Sequence, residues 1–246
     1  MKLKRGLIAI LDALGAASYT DEEIARFLEA RRKVLDLLQR TASIREIKGS
    51  MDASQFETFT FADTLLISYT TQSEPSLDDV KNFSLILRKL IVESLAKGIL
   101  FRGAISVGTF YVEGDSNTVM GQAVTDAAAW YEAADWIGIH ATPHASYVFQ
   151  QLVEETGDSL GHVLVDYAVP MNGRPGVTLK AINWPKFFVV PSLAPKAGPK
   201  NPRSKCLWLL TRHRFPRGTE SKYFNAMAFF DHCVAAWQSA KKQQAG

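Results

Sequence analysis

Two aspartates stand where a carboxylate could do chemistry. Asp12 interrupts the stretch "GLIAILDALGAAS", and Asp63 sits in "FTFADTLLIS". Asp12 ends an apolar run from Gly6 to Leu11, where a carboxylate without a partner is costly. If Asp12 and Asp63 close neighbouring strands, they face each other although they are remote in the chain. Two carboxylates that close repel unless a cation lies between them. Hard oxygen donors favour Mg²⁺ or Mn²⁺, with phosphate oxygens completing the shell. The residues after Asp12, "ALGAAS", are small and let a phosphate approach backbone N–H groups near a helix start. Together these features suit half of a site for a metal-bound nucleoside triphosphate. Taken singly, either aspartate is equally well ordinary turn or capping chemistry. Arg102 interrupts a third apolar stretch, "FRGAISVG". It is either a solvent-face residue or a guanidinium aimed at an anion.

The elements that must position these residues follow from pattern. "GLIAIL" reads as a buried strand. A secretory signal is the competing reading, but Asp12 cuts the apolar run too short for one. Residues 21–42 predict a helix with an apolar stripe at Ile24, Phe27, Leu28, Val34, Leu35 and Leu38. Residues 54–70 predict two strands around a tight turn at Ala62 and Asp63. Residues 76–97 predict a helix, capped by Ser76 with Asp79 and stopped by Gly98. A strand over 99–112, a turn at 113–117 and an alanine-rich helix from "QAVTDAAAWYEAADW" come next. "IGIHAT" is a short strand and "HASYVFQQLVEE" a helix. "HVLVDYAV" and "VTLKAI" are strands, residues 191–205 a loop, and 223–237 a closing helix. The order β, α, β, β, α, β is an α+β, ferredoxin-like split βαβ core with extra C-terminal strands and helix. In that core the first and third strands in sequence are neighbours.

Bulk properties exclude several classes. The 246 residues are 47% hydrophobic and 22% charged, an ordinary globular composition. No uninterrupted apolar run nears the ~18 residues of a membrane span. A net charge of +3 is too small to argue for nucleic-acid binding. The basic runs at 195–205 and 211–222 are either solvated loop or a local anion site. Cys206 and Cys233 lack CxxC spacing and do not suggest a disulfide scaffold, and a reducing cytoplasm is the simplest home. His140 and His144 have helical metal-pair spacing, but Pro143 lies between them and no HExxH motif is present. Ser106 is not a nucleophile elbow, and no Walker loop is present.

In order, "LDALGAAS", "FADTLLIS", "FRGAISVGTFYV" and "GQAVTDAAAW" resemble the catalytic domain of class III nucleotidyl cyclases. The match covers about residues 5–142 of a chain expected to form one domain over 1–246, with 143–246 as an additional C-terminal part. The resemblance implies attack of the ribose 3′-hydroxyl on the α-phosphate, with pyrophosphate leaving. It implies that Asp12 and Asp63, with the Ala13 carbonyl, hold two Mn²⁺ or Mg²⁺ ions. It implies that Gly15 and Ala16 N–H groups cradle the phosphates. It also implies a homodimer with its sites at the interface.

This chain departs from the family pattern at the alanine-rich helix. The family's V-N-x-A-A-R reads "VTDAAA" here, so Thr125 replaces the ribose-orienting Asn and Ala129 the transition-state Arg. Arg102 is the candidate substitute cation, with Arg212, Arg214 and Lys222 behind it. Phe59 replaces the lysine that reads adenine, and is either a buried strand aromatic or a base-stacking residue. These losses resemble the bacterial pyrimidine cyclases of the Pycsar antiphage system. That resemblance implies cyclic UMP, or cyclic CMP, made in the cytoplasm and detected by a separate effector. The alternatives are a purine cyclase using ATP or GTP, and an inactive cyclase-fold module that only binds nucleotide.

Overall fold

The computed structural model describes residues 2–16, 19–42, 55–113, 118–190, 194–211 and 217–245. Its first half runs β1 (Lys2–Ala13), α1 (Asp21–Ala42), β2 (Phe56–Phe61), β3 (Thr64–Thr71), α2 (Leu77–Lys97) and β4 (Phe101–Glu113). It continues with β5 (Thr118–Met120), α3 (Gln122–Ala133), β6 (Gly138–Ala141) and α4 (Pro143–Thr156). Next are β7 (Leu164–Met171), β8 (Arg174–Ile182), α5 (Lys186–Val189), α6 (Pro202–Thr211) and α7 (Glu220–Ala245). The strands form one mixed sheet in the order β2-β3-β1-β4-β6-β8-β7, with β5 paired to β4. The four strands β4-β1-β3-β2 are the expected split βαβ core, and β1 pairs antiparallel with both β3 and β4.

Strand periodicity divides β1 between two cores. Leu7, Ala9 and Leu11 join the main core with β3, α2 and much of the C-terminal part. Ile8 and Ile10 join a smaller cluster under α3, with Phe110, Val112, Ala123 and Ala127. The strand is continuously apolar because both its faces are covered. Gly103 lets β4 come close to β1, since a Cβ there would lie 2.7 Å from the Ile10 carbonyl oxygen.

Helix α2 starts and stops as its sequence predicts. Ser76 and Asp79 form a reciprocal capping box, and Gly98 ends the helix at φ 82°. Its stripe of Leu77, Val80, Phe83, Leu87, Leu90 and Ile91 is buried. In α1, Phe27 and Val34 are buried, but Ile24 and Leu28 are exposed at 42% and 41%, so the covered stripe is narrower than its pattern suggests. Leu38 lies outside the side chains described. The loop expected over 191–205 ends early, because α6 begins at Pro202. There Asn201 accepts a hydrogen bond from the Ser204 N–H at 3.0 Å and caps the helix. In the C-terminal part, Trp136 meets Phe229 edge-on, with ring centroids 5.0 Å apart. Among the described residues no helix is long and apolar enough to cross a membrane.

Candidate active site

Asp12 sits at the end of β1, opposite Thr64 of β3 and Arg102 of β4. Its parity places it on the α3 face of the sheet, the face of Ile8 and Ile10. Asp63 is the second residue of the two-residue turn joining β2 to β3, after Ala62 at φ 49°. The Ala13 N–H donates to the Asp63 carbonyl at 3.2 Å, which ties the turn to the end of β1. Arg31 of α1 donates to the Ala62 carbonyl at 2.6 Å and holds the turn from the other side. The two aspartates are thus brought to one edge by strand pairing. Asp12 feels the turn, since the Asp63 charge raises the Asp12 carboxyl.

The electrostatics of Asp12 are a contest. Burial is the largest influence and pushes its carboxyl up from 3.8. Arg102 opposes this, with its Nε donating to Asp12 Oδ2 at 2.9 Å. Asp63 and Glu132 push the carboxyl up further. The Arg102 guanidinium also lies over the Tyr131 ring, 5.6 Å from its centroid. Tyr131, Glu132 and Asp135 at and after the end of α3 therefore border the site, and pattern reading did not single them out. Burial alone would raise Asp135, but hydrogen bonds from Lys222 and Ser221 outweigh it and bring the carboxyl below 3.8.

The other expected site residues fall as follows. Ala13 is buried directly after Asp12, and Gly15 adopts φ 80° in the turn that follows. Ala16 is half-buried in that turn, and its carbonyl accepts from Tyr19 N–H at 3.1 Å. Helix α1 does not begin there. It starts at Asp21, where Thr20 and Glu23 cap each other and three acidic residues fill the first turn. The negative charge in that first turn opposes a phosphate at the N-terminus of α1. Phe59 packs against the small cluster under α3. Thr125 is exposed on α3, and its Oγ1 donates to the Gly121 carbonyl at 3.2 Å. It lies six positions before Tyr131, about 9 Å along the helix. Lys222 is committed to Asp135 at 2.6 Å. No pattern within the basic run of Lys222, a candidate phosphate ligand by sequence, reveals a partner that far upstream. Arg212 and Arg214 lie outside the described residues. His140 is wholly buried in β6 while His144 is on α4, so they do not form a helical metal pair. Cys206 and Cys233 are both free thiols.

Two carboxylates in mutual repulsion beside a backbone carbonyl fit a hard cation such as Mg²⁺ or Mn²⁺. No group of three or more His, Cys, Asp or Glu side chains gathers among the described residues. The remaining coordination positions would therefore fall to carbonyl, water and phosphate oxygens.

No protein-family model and no curated protein matches the chain. Among solved structures it is similar to the adenylyl cyclase CyaB from P. aeruginosa, at 15% identity and TM-score 0.43, covering 74% of this chain and 97% of that one. It is similar to the catalytic core of a rhodopsin-guanylyl cyclase with converted specificity in complex with ATPalphaS, at 13% identity and TM-score 0.46, covering 74% and 96%. It is also similar to an adenylate/guanylate cyclase/hydrolase from Silicibacter pomeroyi, at 15% identity and TM-score 0.45, covering 80% and 100%. At these scores the likenesses carry no weight for function.

Proposed function

We propose that the protein is a metal-dependent nucleotidyl cyclase. It converts a pyrimidine nucleoside triphosphate, UTP before CTP, to the 3′,5′-cyclic monophosphate and pyrophosphate. The supporting observation is the meeting of Asp12 and Asp63 at one edge of paired strands, close enough for one charge to raise the other carboxyl. Two Mn²⁺ or Mg²⁺ ions on Asp12, Asp63 and the Ala13 carbonyl would supply charge stabilisation at the attacking and leaving oxygens. The chain's own part is to hold those carboxylates ionised and aligned. Arg102 does this for Asp12 from β4, and its guanidinium, on that carboxylate at 2.9 Å, is the cation we assign to the developing phosphate charge. The Gly15 and Ala16 backbone borders the same edge and suits the phosphates. The pyrimidine preference rests on Phe59, which offers a ring face where a purine-reading lysine would offer a donor.

In this reading residues 1–246 act as one unit and pair as a homodimer, and the cyclic product serves a separate sensing effector in antiphage defence. A second reading, nucleotide binding without turnover, is favoured by one observation. Arg102 spends its guanidinium on Asp12, and Ala129 offers no replacement. Incubating the pure protein with Mn²⁺ and each of the four triphosphates separates the readings. The expected products are cyclic UMP or cyclic CMP with pyrophosphate, abolished by Asp12→Asn and by Asp63→Asn with the fold intact. Product from ATP or GTP alone overturns the pyrimidine part. Wild-type turnover in either variant overturns the two-carboxylate site, and binding without product selects the second reading.

A further inference from the structure

A second site lies away from the aspartates, where α7 crosses the β7–β8 pair and α5. A cavity of about 180 Å³ opens there. Its wall is largely apolar, with Val165, Val189, Val234 and Trp237 contributing, and its polar groups include Asn183 and Lys186. None of these residues belongs to the elements that carry Asp12, Asp63 or Arg102. The polar groups are the unusual part. Asn183 is only 9% exposed, and its Oδ1 has no hydrogen-bond partner among the described residues. That oxygen is an acceptor, so the amide is satisfied by a donor, or by a turn about χ2 that presents its NH₂ to an acceptor in the cavity.

Behind the cavity lies an excess of positive charge. Arg88 of α2 is 7% exposed, donates to the His162 carbonyl at 2.6 Å and stacks over Phe187 at 5.3 Å. Its Nε has no partner among the described residues. Burial lowers Lys186 and Arg88 lowers it further, and among the described residues no carboxylate pairs with either cation. The nearby acids are engaged elsewhere: Asp158 and Asp78 pair with Lys81, and Asp166 pairs with Lys180. An apolar cavity with an uncompensated ammonium on its wall, backed by a buried guanidinium, suits a ligand that is apolar at one end and anionic at the other.

We propose that this cavity binds a small apolar monocarboxylate, with its hydrocarbon body between α7 and the β7–β8 pair and its carboxylate on Lys186 and the Asn183 amide. The volume sets the size. A cavity of ~150 Å³ accommodates a benzene-sized body, so the ligand carries about six to eight carbons. One ammonium and one amide match a single carboxylate better than a phosphate, which would leave oxygens without donors. The Asn183 amide can turn its NH₂ toward the ligand by rotation about χ2.

The test is calorimetric titration of the full chain with octanoate, with octanamide as the uncharged isostere and inorganic phosphate as the anion without an apolar body. Octanoate is expected to bind one to one with a Kd below about 1 mM. Lys186→Met should weaken octanoate about tenfold while leaving octanamide unchanged. Val234→Phe, which fills the cavity, should abolish both. Ala240→Phe at the rim is the second blocking variant if Val234→Phe does not fold. The absence of octanoate binding to the folded wild-type protein overturns the proposal. So does binding that survives a folded blocking variant, or phosphate binding as tight as octanoate. None of these outcomes depends on cyclase activity, so failure here and failure of the cyclase reading are separate results.

Discussion

Removing Arg102 should damage the fold more than removing Arg102 and Asp12 together. Their side chains are 21% and 17% exposed, so water screens the pair only partly. At a separation of 2.9 Å and an effective dielectric near 20, attraction is about 6 kcal/mol. Drawing both groups out of water offsets most of that, leaving a net coupling of about 2 kcal/mol. Arg102→Met alone strands a half-buried carboxylate beside Asp63 and Glu132, both of which already push it up. Asp12→Asn removes the charge that needs compensation. Urea unfolding of the wild type, the two single variants and the double variant gives the coupling directly. The pH dependence has a definite sign. A carboxyl raised in the folded state favours folding below its unfolded value of 3.8, and that contribution is lost as pH rises through the raised value. Loss of Arg102 widens that window upward, so Arg102→Met should be most destabilised at neutral pH and recover on acidification. A coupling below about 0.5 kcal/mol, or no recovery in acid, would refute the account of this pair.

Three other measurements bear on the scaffold. Burial pushes His140 down to about 3 from 6.5, so its contribution to stability is complete above 6.5 and is lost as pH falls toward 3. That loss reaches about 4 kcal/mol. His140→Leu should lower the pH midpoint of acid unfolding, and an unchanged midpoint would show that another group triggers it. Asp79→Ala should cost more than Ser76→Ala, which should cost about 1 kcal/mol by thermal unfolding. The reason is that Asp79 also accepts from the Tyr69 hydroxyl at 2.8 Å. Gly103→Val should cost at least about 2 kcal/mol, because its side chain meets β1 backbone that cannot retreat without breaking the β1–β4 register.

The core was legible wherever local pattern and tertiary need agree. The β2–β3 turn, the α2 capping box and the Gly98 stop are short-range devices, and each sits where its residues predict. The split βαβ order was readable because the hairpin and the helix patterns are strong. Pattern reading weakened where burial comes from distant chain. Ile24 and Leu28 belong to a helical stripe, yet they stay exposed. Helix α6 has almost no one-sided apolar pattern. It is held by Cys206, Leu209 and Leu210 packing into the main core and by a cap from Asn201, so its Pro- and Lys-rich approach read as loop.

At the site, the backbone adjacency of the β1 end and the Asp63 turn was legible from strand order, while the partner of Asp12 needed one further step. In the split βαβ core β4 also borders β1, and side chains directly opposite on paired strands share a face. Asp12 opposite Arg102 is therefore a consequence of register, and register is fixed by which residues of β1 and β4 must be buried under α3. Ile8 with Ser106, and Ile10 with Ala104, are the pairs that set it. A shift of one residue would turn Ile8 and Ile10 away from α3 and separate the charges together. The same packing that builds the small cluster under α3 thus decides whether Asp12 is an isolated buried carboxyl or one side of an ion pair. Under the proposed cyclase reading, Arg102 is therefore the residue whose position separates turnover of nucleotide from binding alone. A guanidinium that stays on Asp12 when nucleotide arrives neutralises one of the two carboxylates, and one that leaves it is free to meet the phosphate.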